Sequence, residues 1–252
     1  MTRATLPALV GAFCAAFHYP AVQAPRVELD HVFVVVQPGG EAEIAALESA
    51  GLTVASRVAK HPGQGTASRA VLFENAYLEL IWVDSSVAID AEHASSAQSF
   101  RNAAAWRTSG HSPFGFGLRR LPGDTAALPV PVKRETAEWL ESGTAYELLR
   151  QPRESAAADF FVVPASRSVP NWIASVQERS PQLLRHPGGG HKITRVRVHG
   201  PVEQQPIAFR VLLPKPVEMV RAAKPLLELE LDDGVRRELK DLRPVLLLVI
   251  VR

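Results

Sequence analysis

Apolar and β-branched residues dominate positions 27–36, where VELDHVFVVV predicts one long strand. Gly39 and Gly40 end this run. The segment EAEIAALESA that follows has helix-forming residues, with acidic side chains in its first turn. Gly51 stands where a left-handed helix cap is expected. Three further runs predict strands at 52–58, 70–74 and 77–83. Residues 27–84 therefore predict the order strand, helix, strand, strand, strand.

Strand parity places two ionisable side chains on faces that are otherwise largely apolar. Side chains two residues apart point the same way, so His31 shares a face with Val27, Leu29, Phe33 and Val35. Glu79 shares a face with Tyr77, Ile81 and Val83. A carboxylate on such a face is costly to bury unless it is hydrogen-bonded, ion-paired or bound to a metal. The residues alone leave three interpretations open: a His–Glu pair in the core, a solvated Glu79, or a metal site.

The rest of the chain gives a weaker echo of this pattern. Residues 91–106 predict a connecting helix over one end of the sheet, and SGHSPFGFG closes it. The segment WLESGT at 139–144 resembles LESAGLT at 47–53. A short helix is predicted at 168–178, and strands at 114–119, 145–150, 158–163, 193–198, 226–231 and 245–251.

Length and charge narrow the classes of function. The chain has 252 residues and a formal net charge of +2, and its Lys and Arg residues are scattered. We therefore expect no nucleic-acid partner.

Arg3 and the apolar run 6–17 outline a secretory signal peptide over residues 1–24, although Pro7 and Pro25 weigh against one. The alternative is an N-terminal extension of a cytoplasmic protein, which is favoured. No apolar run is long enough for a membrane span.

Four segments resemble the first module of the vicinal-oxygen-chelate superfamily, and its glyoxalase-like domain proteins in particular. They are LDHVFVVV (29–36), LESAGLT (47–53), HPGQGTASR (61–69) and YLELI (77–81). The resemblance implies an α+β fold of βαβββ modules, with a curved, mostly antiparallel sheet and helices outside. Residues 25–84 would form the first module, 85–112 a connecting helix and loop, and 113–252 a divergent second module with C-terminal strands. The modules would pack within one chain or, alternatively, pair across a homodimer.

The resemblance also implies a site. In metal-dependent members the first strand supplies a His and the fourth a Glu, and His31 and Glu79 match those positions. Such donors suit Mn, Fe, Ni, Co or Zn. The chemistry would be that of a lyase, isomerase or dioxygenase acting on a small substrate with vicinal oxygens. The alternative is a metal-free protein that binds a small molecule on the same scaffold.

The second module aligns in two ways. If it begins near Pro113, Glu147 takes the role of Glu79; if it begins at Lys192, Glu228 does. Neither alignment offers a first-strand histidine, since Gly115 stands there in one and His191 precedes the strand in the other. Glu147 or Glu228 would move the substrate proton. Glu228 and Glu230 alternatively form the solvated face of an edge strand.

Two other residues are candidates for substrate binding. Arg69 would clamp a carboxylate, beside loop glycines that let backbone amides approach an anion. The alternative is a flexible hairpin with a surface arginine. His111 lies at the mouth of a bend and is either a substrate or metal contact or an exposed loop histidine. The sequence has no nucleophile elbow, no phosphate loop and no HExxH motif.

Overall fold

The computed structural model describes residues 26–149, 158–201, 209, 212–232 and 238–252. The segment 1–24 lies outside these residues. The first module comprises five elements: β1 (Val27–Val35), α1 (Glu41–Ser49), β2 (Ala59–His61), β3 (Thr66–Leu72) and β4 (Tyr77–Val83). β1 pairs in parallel with β4, and β4, β3 and β2 follow as antiparallel neighbours. The predicted order of elements is therefore present.

The second strand was predicted too early in the chain. Residues 52–58 form no strand, and pairing begins only at β2. Leu52 and Val54 are buried all the same, because they pack into the core as irregular chain tied to β3 by the bond from the Ala55 amide to the Ala70 carbonyl. Their alternation reflects burial rather than a β-ladder. The third strand, in contrast, was predicted too late, because it starts at Thr66, four residues before its predicted start.

The second module repeats this connectivity without its helix. It consists of β5 (Phe114–Arg120), β6 (Val132–Glu135), β7 (Tyr146–Leu149) and β8 (Asp159–Val162). β5 pairs in parallel with β8, while β8, β7 and β6 are antiparallel neighbours. β1 and β5 join the two modules antiparallel, giving one curled sheet in the order β2-β3-β4-β1-β5-β8-β7-β6. This α+β half-barrel has the architecture that the resemblance implies.

A second sheet covers the outside of the first. It contains β9 (Ile193–Gly200), β10 (Val217–Arg221), β11 (Leu226–Leu231), β12 (Leu239–Asp241) and β13 (Leu248–Val251) in the order β10-β9-β11-β13-β12. The main core combines buried residues of both sheets and of α1, including Val32, Leu47, Val196 and Leu227. The alignment that began the second module at Lys192 is therefore wrong, because β9 belongs to this outer sheet.

The remaining helices pack against part of the open face of the half-barrel. Ala103 of α2 (Ala94–Ala104) packs on Phe33, Val35 and Ile81 in a separate small core. A short α3 (Trp106–Ser109) follows, and α4 (Val169–Arg179) lies between two 3₁₀ turns, Ala165–Arg167 and Pro181–Leu184. Trp172 of α4 meets the ring of Tyr77 at 5.9 Å. Within the described part of the chain, no helix has the length and apolarity needed to cross a membrane.

Candidate functional site

His31 is aimed into the open face of the sheet by a bulge in β1. The pairing with β5 shifts register between Leu29 and His31, so Asp30 is an extra residue in the strand. Leu29 therefore faces the main core, and His31 faces the opposite side. The shared face that parity predicted for Leu29 and His31 is thus wrong, because a bulge resets the alternation.

Asp30 fixes the orientation of the His31 ring. Its Oδ1 lies 3.0 Å from His31 Nδ1, and its Oδ2 accepts the backbone N–H of Val169, the first residue of α4, at 2.8 Å. Arg119 Nη1 is 3.9 Å from the same carboxylate, which is fully buried. The carboxylate oxygen accepts, so Nδ1 is the donor of this hydrogen bond. Nε2, on the other side of the ring, points into the site.

The space for the His31 ring comes from a glycine. Gly117 pairs directly with His31, and a Cβ built there would lie 2.1 Å from His31 Cε1. Tyr77 stacks on the imidazole with ring centroids 4.3 Å apart, and Phe161 contacts it at 5.3 Å. The second module therefore contributes room and an aromatic wall at this point rather than a histidine.

Glu79 faces the imidazole without a hydrogen bond. No described residue donates one to its carboxylate, and its nearest ionic neighbours are His31 Nε2 at 3.8 Å from Oε2 and His61 Nε2 at 4.0 Å from Oε1. The side chain is 13% exposed. The protein itself therefore offsets little of the free-energy cost of removing this carboxylate from water.

His61 is the third group at the site. Thr66 Oγ donates to Gln64 Oε1 at 2.8 Å, so it accepts from His61 Nδ1 at 2.9 Å. This bond leaves the His61 Nε2 electron pair directed towards Glu79. Burial lowers the pKa of His61 below its ordinary value, against the opposing effect of the Glu79 carboxylate, so the neutral ring is favoured.

Three electron-pair donors thus approach one another from three strands. As they stand they are not closed around an ion: among the described residues, no group of three or more His, Cys, Asp or Glu side chains is placed to hold a metal. Two donors on one tetrahedral ion at about 2.1 Å are about 3.4 Å apart. The separations of 3.8 and 4.0 Å exceed this by a few tenths of an ångström. The imidazole and carboxylate donors suit a divalent ion in chemical type, although their present separations do not close around one.

Aromatic side chains wall the space around these donors. Trp139 lies 5.7 Å from the His61 ring, and Tyr146 meets Phe161 edge-on at 5.7 Å. Burial, followed by the nearby Glu79, raises the pKa of the Tyr77 hydroxyl well above its ordinary value. The phenol therefore stays protonated and offers a hydrogen-bond donor rather than a negative charge.

The two carboxylates predicted to move a proton lie elsewhere. Glu147 pairs with Val162, whereas Phe161, the next residue in β8, contacts His31; neighbouring residues of a strand face opposite ways. Glu147 is bound to Arg120 at 3.1 Å. Glu228 lies in β11 of the outer sheet and is paired with Arg197. β11 is a central strand, so the edge-strand alternative for Glu228 is wrong in position, although its face is partly solvated.

The two predicted substrate contacts are bonded to other parts of the chain. Arg69 donates from Nε to the Ala55 carbonyl at 2.7 Å, which ties residues 52–58 to the sheet. The hairpin amide of Gly63 is bonded to the Ala88 carbonyl, so it is not free for an anion. His111 contacts Asn102 and Ser109 near α3.

Sequence reasoning missed Asp30, His61 and Gly117. Asp30 and Gly117 act through a bulge and a cross-strand contact, neither of which is visible along the chain. His61 had one signal: with β2 ending at His61 and β3 starting at Thr66, these two residues pair and share the face of Glu79. Placing the second strand at 52–58 concealed that register.

The comparisons with known proteins agree with this fold. The chain matches the family model described as a glyoxalase-like domain over residues 29–210. Its fold is similar to the crystal structure of a hypothetical protein from Staphylococcus aureus, with a TM-score of 0.54 and 10% sequence identity, over 90% of this chain and 98% of that chain. No curated protein matches the chain. At this identity the structural likeness concerns the fold alone.

Proposed function

The chain belongs to the glyoxalase-like domain family of the vicinal-oxygen-chelate superfamily, and on this premise we propose that it is a metal-dependent enzyme. Its substrate would be a small molecule with adjacent oxygens, and His31 and Glu79 would hold the divalent ion. The reaction class is a lyase or isomerase step, or a dioxygenase step if the ion is iron.

One observation carries this proposal. The Glu79 carboxylate has no hydrogen bond from the described residues, yet it faces an imidazole Nε2 whose other nitrogen is tied to Asp30. A largely buried carboxylate without a hydrogen bond is costly, and a cation between it and the imidazole would offset that cost. The carboxylate–histidine arrangement of Asp30 and His31 is the outer-shell contact that commonly orients metal-binding histidines.

The residues of the chain divide the chemistry among them. A bound divalent ion would supply Lewis acidity to the substrate oxygens. Asp30 keeps the proton on His31 Nδ1, and its bonds to Arg119 and to the start of α4 keep the carboxylate in place. Phe161 and Tyr77 hold the imidazole plane and exclude water from it. The protonated Tyr77 hydroxyl is available as a hydrogen-bond donor.

The test is the metal content of the full chain, purified without chelator and measured by elemental analysis. We expect bound Mn, Fe, Ni, Co or Zn, and its loss in His31→Ala and in Glu79→Ala. Glu147→Ala, which removes a carboxylate from the opposite face, is the matched control and should retain the metal. A metal content that is unchanged in both site variants would refute the proposal. The metal-loaded protein is then assayed with small dicarbonyls, hydroxyketones and catechols.

A metal-free binding protein is the second candidate, and the aromatic walls favour it. Trp139, Tyr146 and Phe161 line the space beside donors that are not closed around an ion. Such a pocket would hold a small aromatic or oxygenated molecule by burial alone. A ligand-induced rise in melting temperature that survives chelation would favour this function, whereas a rise that disappears with chelator would favour the enzyme.

A further inference from the structure

We infer that His61 is the third protein ligand of the divalent-metal site, in place of the ligands that the second module does not supply. This inference rests on the proposed function, because it concerns the same ion. It assigns the site to β1, β2 and β4 alone, so that one module holds the metal and the other only encloses it.

The described carboxylates that the second module places on the relevant face, Asp159 and Glu135, are bound to other partners. The two residues of β5 that lie beneath the site are Gly115 and Gly117, and side chains of β1 fill the space above them. On β8 the residues of the same face are Asp159 and Phe161. Asp159 pairs with Gly115 and accepts from Ser99 Oγ at 2.9 Å, and Phe161 is apolar. Two protein ligands alone would hold an ion weakly, because catalytic sites usually provide three.

His61 has the features of a ligand rather than of a buried structural histidine. Only its Nδ1 is hydrogen-bonded, to a threonine whose own proton is committed to Gln64. Its Nε2 has no hydrogen-bonding neighbour within the described chain and lies 4.0 Å from Glu79 Oε1. His186, by contrast, is bonded at both nitrogens, to the Thr53 amide and to the Leu72 carbonyl. A ring tied at one nitrogen and open at the other is the arrangement that metal ligation requires.

The hairpin that carries His61 is held in place. Gly63 and Gly65 have positive φ angles of 86° and 72°, which glycine adopts without strain. Gly63 is bonded to the Ala88 carbonyl, and the Gly65 carbonyl accepts the Asp84 amide at 3.0 Å. His61 is 17% exposed and Glu79 is 13% exposed, so the gap between them is accessible to an ion from solvent. Binding of one ion by all three side chains requires His31 Nε2 and His61 Nε2 to come closer to Glu79 than the present 3.8 and 4.0 Å.

The experiment is a titration of the metal-free full chain with Zn²⁺ by calorimetry, repeated with Co²⁺ to follow its visible absorption. The variants are His31→Gln, Glu79→Gln and His61→Gln, and His186→Gln is the matched control for loss of a buried histidine. We expect His61→Gln to weaken Zn²⁺ binding more than about 100-fold, beyond the 10–100-fold typical of an outer-shell change. It should also weaken the Co²⁺ absorption as the His31 and Glu79 variants do. His186→Gln should bind Zn²⁺ like the wild type.

A second measurement avoids substitutions at the ligand itself. In the wild type labelled with ¹⁵N-histidine, Zn²⁺ should shift the Nε2 resonances of both His31 and His61. Thr66→Val, which removes the hydroxyl that orients His61, should weaken binding about 10–100-fold, and Thr66→Ser should restore it.

The outcomes separate the two proposals. If His31→Gln and Glu79→Gln abolish binding while His61→Gln binds normally and its resonance does not move, the third-ligand inference is overturned and the proposed function stands. If the wild type binds no divalent ion, the proposed function fails and the inference with it. Loss of binding in all three variants, with His61 Nε2 shifted in the wild type, supports both.

Discussion

Gly117→Ala tests how the His31 ring is held. The added Cβ would lie 2.1 Å from His31 Cε1 and 2.4 Å from Nδ1, far inside contact distance, so the ring has to move. The ring cannot move freely, because Tyr77 stacks on it and Asp30 is bonded to Nδ1. Overpacking of this kind typically destabilises by about 1–3 kcal/mol. For a chain of this size that corresponds to a fall of about 2–12 °C in melting temperature.

The same substitution should weaken metal binding. Displacing the imidazole lengthens or breaks its bond to Asp30, and the loss of such an outer-shell contact lowers metal affinity about 10–100-fold. Both effects are measured on one sample, by thermal unfolding of the metal-free protein and by calorimetric titration with Zn²⁺.

Gly115→Ala is the matched control for this effect. It lies two residues away on the same face, and its Cβ would meet Phe33 Cζ at 2.1 Å and the Asp159 carbonyl at 2.9 Å. We expect it to destabilise the fold to a similar extent while changing Zn²⁺ affinity much less, because the clash falls on an apolar ring. If Gly117→Ala unfolds at the wild-type temperature and binds Zn²⁺ normally, His31 is not held across β5 and the reasoning is wrong.

Three further predictions concern buried ionisable groups. Asp30→Asn should weaken Zn²⁺ binding about 10–100-fold in calorimetry, because an amide donor next to His31 Nδ1 shifts the ring proton to Nε2. Burial lowers the pKa of His186 below its ordinary 6.5, so its contribution to stability is complete above pH 6.5 and is lost as the pH falls through the folded value. Urea unfolding at several pH values should show that the free energy of unfolding of the wild type falls as the pH falls. It should fall less in His186→Gln, because glutamine does not take up a proton where the Thr53 amide is bonded. Burial raises the pKa of Asp159 above its ordinary 3.8, so the stability that its neutral form gives at low pH is lost as the pH rises through the folded pKa. The amide of Asp159→Asn stays neutral at every pH. This variant should therefore unfold at a higher urea concentration than the wild type at pH 7.

The elements that the sequence predicts best are those specified by their own residues. β4 begins and ends where the run YLELIWV does, and β11 where LLELEL does, because each run combines an alternating pattern with clear breaks. The last strand was predicted from 245, but pairing begins at Leu248. Leu246, two residues before this strand, is buried without belonging to the ladder. Hydrophobicity reports burial, and burial coincides with pairing only where the backbone is extended.

The candidate site is predicted less well because its geometry depends on contacts between distant segments. The resemblance predicted His31 and Glu79 as site residues. The face on which His31 lies depends on the bulge at Asp30, and no residue type along β1 predicts that bulge. Glu147 was proposed as the counterpart of Glu79, yet it lies on β7, one strand away from the position that the repeat assigns. Glu147 is also one residue away from Leu148, which pairs with Phe161, and in a strand pattern of period two a displacement by one residue exchanges the two faces completely.

The two halves of the sheet contribute different side chains to the site, and this asymmetry accounts for the glycines of β5. A repeat in which both modules bound the ion would need side chains on both central strands. Here the ring of His31 occupies the space above β5, and the small residue Gly117 is the condition for that placement. The same face of β8 carries Phe161 against the imidazole. Among the described residues, the two histidines within 4.0 Å of the Glu79 carboxylate, His31 and His61, both belong to the first module, while the second module contributes aromatic walls. If the first module holds the ion as proposed, substitutions at Phe161 or Tyr146 should change which molecule fits without altering the donors, and the choice of ligand would depend on the second module.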